Sequence, residues 1–460
     1  MKIKKSKHHL LQLLIYIILS GTIISCTTSR QLSETEINNL LKEQLATYFS
    51  MPAEQQRNDK EFWKILTTPS KTQVSTWQKM IFSAAKREAV KTGKQAQFNQ
   101  RVMIFNNPFG LDEKCPMQFS ITTKGDKPKK GWPVYINIHG SGPVDIEYKI
   151  HQTRHKFYSG MLVVPRSPND VTTTPTGKKG GIWRHWYIPA IEQLVTELAM
   201  FADADPDRIY LMGFSEGGYF SYRVIPEMSD RLAGVAPAAG GGIGDHNWVD
   251  NLVNTPFYAQ SGENDNGYGR AETFREMIKS VQKAKKKYPG RINCRLTEYK
   301  GYGHQIPDTR KENSAPLWLE KFRRNPYPDL LIWQQKKDPE CYLWRREKKG
   351  FTFPYISKSH YWVKVDEIMS GKEYSRIEAT YKNNIIHLKS DDYNRITVRL
   401  NDQMVNLDKP VTIYFNNKKV YEAIPERSLI TMIKTWEERN DPAFIFPAEV
   451  TVSSQDHNKK

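Results

Sequence analysis

An apolar run at 209–212 leads into Gly213-Phe214-Ser215-Glu216-Gly217, and residues 217–228 then carry apolar side chains at helical spacing. A serine on a tight turn between a buried strand and a helix exposes its hydroxyl above a sheet, where it can attack an acyl carbon. The two glycines suit a turn so sharp that a side chain would meet neighbouring backbone. The helix N-terminus beneath favours developing negative charge. Serine is a weak nucleophile on its own and needs a base, which in turn needs an orienting acid. Downstream, Glu263 and Asp265 follow an apolar run at 256–260, and His304 lies in Gly301-Tyr302-Gly303-His304 after a further run at 294–299. The order serine, acid, histidine is one of the known arrangements of such a triad. His304 is therefore the expected general base and Asp265 its orienting acid, with Glu263 as the reserve candidate.

Acyl transfer also needs N–H donors aimed at the oxyanion. The backbone of Glu216, directly after the serine, is one. The second is expected from His139-Gly140-Ser141-Gly142, which follows the apolar run 134–138. Gly140 and Ser141 both qualify, and His139 reads as structural. Two further features have weaker chemistry. His151 and His155 stand four apart, but no third metal ligand is in view and no metal or other cofactor is expected. The long segment 166–186 is rich in threonine, glycine and proline, and it ends with Trp183, His185 and Trp186. Trp183 and Trp186 are candidate walls of a substrate pocket for sugar or aryl groups, or else packing for the next helix.

The elements that must position these residues alternate. Strand-like runs at 134–138, 161–165, 209–212, 232–237, 256–260 and 294–299 are interleaved with helical spacing at 186–201, 217–228, 270–287 and 314–323. This pattern predicts an α/β fold with a mostly parallel sheet covered by helices on both faces. Before it, residues 34–48 and 73–92 read as helices and 101–105 and 117–122 as strands. After it, prolines at 326 and 328 break the chain. Short strands at 360–365, 385–389, 395–400 and 411–415, one helix at 427–439 and a last strand near 450–452 predict a small C-terminal β-rich domain. The organisation read from the sequence is thus a leader at 1–25, helices and leading strands at 26–125, a catalytic domain at 126–325 and a β-rich domain at 330–455.

Four lysines followed by an apolar stretch at 10–24 form an export signal rather than a transmembrane span. The stretch ends in Ile23-Ile24-Ser25-Cys26, which resembles a bacterial lipoprotein signal. That resemblance implies lipidation of Cys26, attachment to a membrane and a place on the cell envelope, with outer membrane or periplasmic face as the expected site. Cys115, Cys294 and Cys341 remain, allowing at most one disulfide. A charged fraction of 26% and a hydrophobic fraction of 38% are those of a globular chain and exclude a multi-span membrane protein. The net charge is +18, but the basic residues are dispersed and the run at 283–287 reads as an exposed helix end, so no nucleic-acid partner is expected.

Residues 130–325 resemble the α/β-hydrolase superfamily, on the strength of Gly213 to Gly217, Asp265, His304 and the His139–Gly142 loop. Within it they look like secreted bacterial esterases of the polyhydroxybutyrate-depolymerase and feruloyl- or acetyl-esterase type. The Gly-Phe-Ser-Glu-Gly-Gly-Tyr run at 213–219 is also similar to prolyl-oligopeptidase-type peptidases. The resemblance implies a serine ester hydrolase working through an acyl-enzyme on a small-molecule or polysaccharide-linked ester. A serine peptidase is the alternative, although the hundred or so residues before 131 leave no room for a gating propeller. A third reading is a non-catalytic binding lipoprotein, which an intact serine, aspartate and histidine set argues against.

Overall fold

The computed structural model describes residues 32–52, 55, 68–107, 113–152, 158–172, 183–241, 246–307, 314–336, 357–366 and 374–454. The leader with Cys26, the sequence-read partner His155 and Cys341 lie outside the described residues. The chain divides into two compact units, residues 1–44 and 45–460. In the first, helix α1 (Glu34–Ser50) begins at a capping box, with Glu36 N–H donating to Ser33 Oγ and Ser33 N–H to Glu36 Oε2.

In the second unit, α2 (Lys71–Lys91) starts at a Ser70/Gln73 capping box and buries Trp77, Ile81 and Ala84. A short helix, α3 (Lys94–Asn99), follows. Eight strands then form one sheet: β1 (Val102–Asn106), β2 (Lys114–Lys124), β3 (Trp132–Ile138), β4 (Gly160–Pro165), β5 (Ala204–Phe214), β6 (Gly234–Ala238), β7 (Phe257–Gly262) and β8 (Cys294–Tyr299). Their order is β1-β2-β4-β3-β5-β6-β7-β8. β1 and β2 are antiparallel at one edge, and from β4 onward every pair is parallel.

Both faces are covered, which explains why the central strands are apolar without alternation. Val134, Ile136 and Ile138 share one core with Leu194 of α5 (Ile188–Phe201) and with Phe274 and Met277 of α8 (Arg270–Lys287). Tyr135, Leu162 and Tyr210 face the other core with Leu319 of α9 (Ala315–Leu319). The chain also forms α4 (Val144–Gln152), α6 (Glu216–Arg223) and α7 (Ile225–Met228), and Phe220, Tyr222, Ile225 and Met228 of the last two join the first core. Sequence spacing joins 217–228 in one helix. The break after Arg223 precedes Pro226, which has no N–H to continue the ladder.

The β-rich end holds two sheets. One has the order β10 (Ser359–His360), β11 (Val363–Val365), β14 (Arg395–Leu400), β17 (Ala448–Ser453). The other has β16 (Lys418–Ala423), β15 (Val411–Phe415), β13 (Ile385–Lys389), β12 (Tyr374–Lys382), β9 (Leu330–Lys336). They enclose one core that includes Trp333, Trp362, Ile377, Val398 and Phe446. Helix α10 (Leu429–Arg439) packs on α2, with the Phe82 and Trp436 rings 5.7 Å apart edge to face. Cys115 and Cys294 carry thiols on β2 and β8, with no disulfide between them.

Candidate active site

The sheet delivers the sequence-read residues to one end. β5 ends at Phe214, and Ser215 follows at φ 55° and ψ −115°, a conformation that costs a non-glycine residue of order 1–3 kcal/mol. The turn is held by Ser215 N–H donating to Ala238 O at 2.9 Å, and by Tyr219 N–H donating to Ser215 O at 3.0 Å. Backbone packing leaves no room for side chains around it. A Cβ on Gly213 would stand 2.1 Å from Gly217 O, and one on Gly217 would stand 2.2 Å from Ile138 O. The glycine spacing in the sequence is therefore a steric demand of this turn.

Ser215 Oγ–H donates to His304 Nε2 at 2.8 Å. On the far side of the ring, His304 Nδ1–H donates to Asp265 Oδ2 at 2.9 Å, and the carboxylate fixes that tautomer because it can only accept. His304 lies in the loop after β8 and is partly exposed, whereas Asp265, after β7, is 1% exposed. Burial works to raise the Asp265 pKa, but hydrogen bonds from Arg270 and His304 outweigh it and hold the carboxyl below the ordinary aspartate value. Glu263, the reserve acid, points elsewhere: its Oε2 accepts the Gly301 N–H at 2.8 Å and steadies the loop leading to His304. The sequence-read order is thus realised in contact, with Asp265 the acid at the histidine.

Glu216 is the first residue of α6, and no acceptor among the described residues meets its N–H. The His139–Gly142 loop lies against the serine, since a Cβ on Gly140 would be 3.4 Å from Ser215 Cβ. The Gly140 N–H donates to Glu147 Oε2 of α4 at 3.3 Å, while no described acceptor meets the Ser141 N–H. His139 is fully buried. Ser167 N–H donates to its Nε2 at 3.0 Å, and its Nδ1–H donates to Gly140 O at 2.8 Å. Burial lowers its pKa to about 4, so it stays neutral and shapes the loop.

One of the two readings of the tryptophans gives way. Trp183 and Trp186 are buried in the main core, Trp183 with its ring 5.2 Å from His139 and 5.7 Å from Phe220, so they pack the structure rather than wall a pocket. His151 is buried on α4 with Nε2 3.8 Å from Glu147 Oε2. Three residues missed in the sequence lie close by. Arg184 and Arg223 both pair with the Glu216 carboxylate, Arg223 at 3.7 Å. Arg270 donates twice to Asp265 Oδ1, from Nε at 2.9 Å and from an Nη at 2.6 Å. Arginines are common in any chain, and no spacing in the sequence separates these from solvated ones.

Such an arrangement can move a proton from a serine hydroxyl to an imidazole whose far nitrogen is anchored by a carboxylate. Residues 183–317 match the model of the dienelactone hydrolase family. Over 180 residues, 36% of this chain, the sequence is 26% identical to the bifunctional acetylxylan esterase/xylanase of Neocallimastix patriciarum, and the chain spans 25% of that relative's length. Among solved structures, a thermostable esterase is similar over 49% of this chain and 64% of its own, at 18% identity and a TM-score of 0.35. The poly(3-hydroxybutyrate) depolymerase LpqC of Bordetella parapertussis is similar over 46% of this chain and 87% of its own, at 15% identity and a TM-score of 0.33. With its mostly parallel sheet and its helices on both faces, the chain has an α/β-hydrolase fold, and residues 183–317 are the part of it that is similar to the dienelactone hydrolase family.

Proposed function

We propose that the protein is a serine ester hydrolase acting through an acyl-enzyme on acylated carbohydrate at the cell envelope. The observation that carries the reading is the continuous chain of contacts Ser215 Oγ, His304 Nε2, His304 Nδ1, Asp265 Oδ2, at 2.8 and 2.9 Å. Ser215 Oγ attacks the ester carbon as its proton passes to His304 Nε2, and Asp265 stabilises the imidazolium. The oxyanion is received by the Glu216 N–H and by an N–H of the loop at Gly140 and Ser141. The C–O bond to the alcohol then breaks, and His304 returns its proton to the leaving oxygen. Water, deprotonated by His304, releases the acid and restores Ser215. The name of the acetylxylan esterase relative supports an acylated carbohydrate as substrate. The leader and Cys26 support a lipid anchor.

The test uses the full chain extracted in detergent, nitrophenyl acetate, acetylated xylo-oligosaccharides and peptide anilides as substrates, and a fluorophosphonate probe. Ester turnover and labelling of Ser215 are expected, with both lost in Ser215→Ala and His304→Ala. Turnover surviving in both variants would overturn the mechanism, and anilide cleavage without ester cleavage would move the protein to the peptidases. Labelled palmitate should enter the wild-type chain and not Cys26→Ala.

A further inference from the structure

Arg270 opens α8 and is almost wholly buried, with 7% of its surface exposed. Its two donors converge on Asp265 Oδ1, while Oδ2 receives His304. The carboxylate is thereby divided: one oxygen belongs to the guanidinium and the other to the imidazole. A planar fork that bonds one oxygen twice stops the carboxylate from turning about its Cβ–Cγ bond. The main chain repeats the constraint, with Ala271 N–H donating to Asp265 O at 2.9 Å.

Arg270 is itself held from the nucleophile's side. Gly241, in the loop after β6, sits at φ +68°, and a Cβ there would stand 2.6 Å from Arg270 Cα. Its neighbour Gly240 presses on α6, where its own Cβ would be 2.7 Å from Gly218 C. One loop therefore touches both the helix after Ser215 and the residue that grips Asp265. The charged or titratable groups facing this cluster are His304 and Asp265, Tyr219 and Glu216 from α6, and Tyr268, whose ring lies 5.5 Å from the guanidinium carbon.

We propose that Arg270 is a positioning residue for the hydrolytic reaction, fixing the Asp265 carboxylate toward His304 and offsetting its charge so that the imidazole is not over-stabilised as a cation. This rests on the reading of Ser215, His304 and Asp265 given above. Removing the guanidinium leaves the carboxylate charge unbalanced beside His304, so the histidine becomes more basic and its neutral, base-competent form needs a higher pH.

The experiment compares the full-length wild type with Arg270→Lys, Arg270→Gln and Arg270→Ala, following nitrophenyl ester hydrolysis against pH and the strongly downfield imidazole N–H proton by NMR. In Arg270→Gln, kcat should fall by about a hundredfold with KM little changed. The acid limb of kcat/KM should move up by about half a pH unit to one unit. Arg270→Lys should recover part of both effects, and added guanidinium should rescue Arg270→Ala. An unmoved acid limb and an unmoved downfield proton in a folded Arg270→Gln would overturn the proposal, as would wild-type rates in that variant. If Arg270→Ala does not fold, the lysine and glutamine variants and the proton resonance decide. A wild type with no turnover and no fluorophosphonate labelling would instead sink the hydrolase reading, while a downfield proton that still shifts in Arg270→Gln would leave the Arg270 geometry standing.

Discussion

The Arg324 guanidinium meets the Asp441 carboxylate at 2.5 Å, with 1% and 2% of the side chains exposed, and so ties the end of the α/β sheet region to the β-rich end of the chain. Arg231 reaches the same carboxylate at 2.9 Å, and nearby Asp230 pairs with Arg439 at 2.6 Å. Burial opposes ionisation of Asp441, but its two arginines outweigh that and drive its pKa well down.

Asp441→Asn would take the carboxylate from the buried Arg231 and leave the buried Arg324 with Asp207 alone. A loss of about 3 kcal/mol in urea unfolding is expected, because breaking one side of a buried pair strands the other. The depressed pKa adds a sign: this contribution is whole above the unfolded aspartate value of about 4 and fades as pH falls toward the folded one. The wild type should therefore show a component of acid unfolding that the asparagine variant lacks.

Glu227 behaves in the opposite sense. It is buried on α7, accepts the Ser357 N–H at 2.8 Å, and burial lifts its pKa to about 8. The folded chain then holds a proton that the unfolded chain releases above the ordinary glutamate range, so stability falls as pH rises from about 4.5 toward 8. Glu227→Gln should flatten that slope and raise the melting temperature at pH 8. An unchanged slope between pH 5 and pH 8 would refute the assignment.

Two acids stand two residues apart in the loop after β7, and only Asp265 touches His304. Asp265→Asn should lower kcat by about 10⁴, since the tautomer is lost while the fold remains. Glu263→Gln should retain most activity, because the amide oxygen still accepts from the Gly301 N–H. Equal losses in the two variants would show that the assignment of the acid is wrong.

Gly217→Ala should inactivate the protein more severely than its loss of stability explains. The added methyl would need space that Ile138 O occupies at 2.2 Å, and relief can come only by moving the turn that carries Ser215. Fluorophosphonate labelling of the folded fraction is the measurement, and labelling at the wild-type rate would contradict this account.

How far the sequence could be read depended on whether a feature was local. Gly213, Ser215 and Gly217 announce themselves because one turn imposes all three. Asp265 and His304 could be placed because each follows an apolar strand in a fixed chain order. Helix α8 and strand β8 were legible to the residue, with strong periodicity and few competing signals. The strand read at 209–212 fared worse, since β5 already begins at Ala204. There Asp205 and Asp207 are satisfied by Arg323 and Arg324 rather than by turn hydrogen bonds alone, a tertiary effect that no local rule contains. The tryptophans at 183 and 186 resembled pocket walls by composition, yet only burial distinguishes a ring in a core from a ring in a cleft. Strands β9 and β16 were not read from the sequence and emerged only as partners in a sheet. Arg270 was invisible for the same reason: its meaning lies in which oxygen it grips.

The contacts that pin Ser215 are backbone against backbone, at Gly217 with Ile138 and again where the loop of Gly240 and Gly241 meets α6 and α8. For anyone seeking to redirect the proposed hydrolase, that divides the molecule into two kinds of territory. Substitutions among the residues behind the serine would deform the reaction centre itself and should be avoided in a library. Variation belongs in side chains around Ser215 that do not touch this frame, where new shapes can be tried while the serine oxygen stays in place.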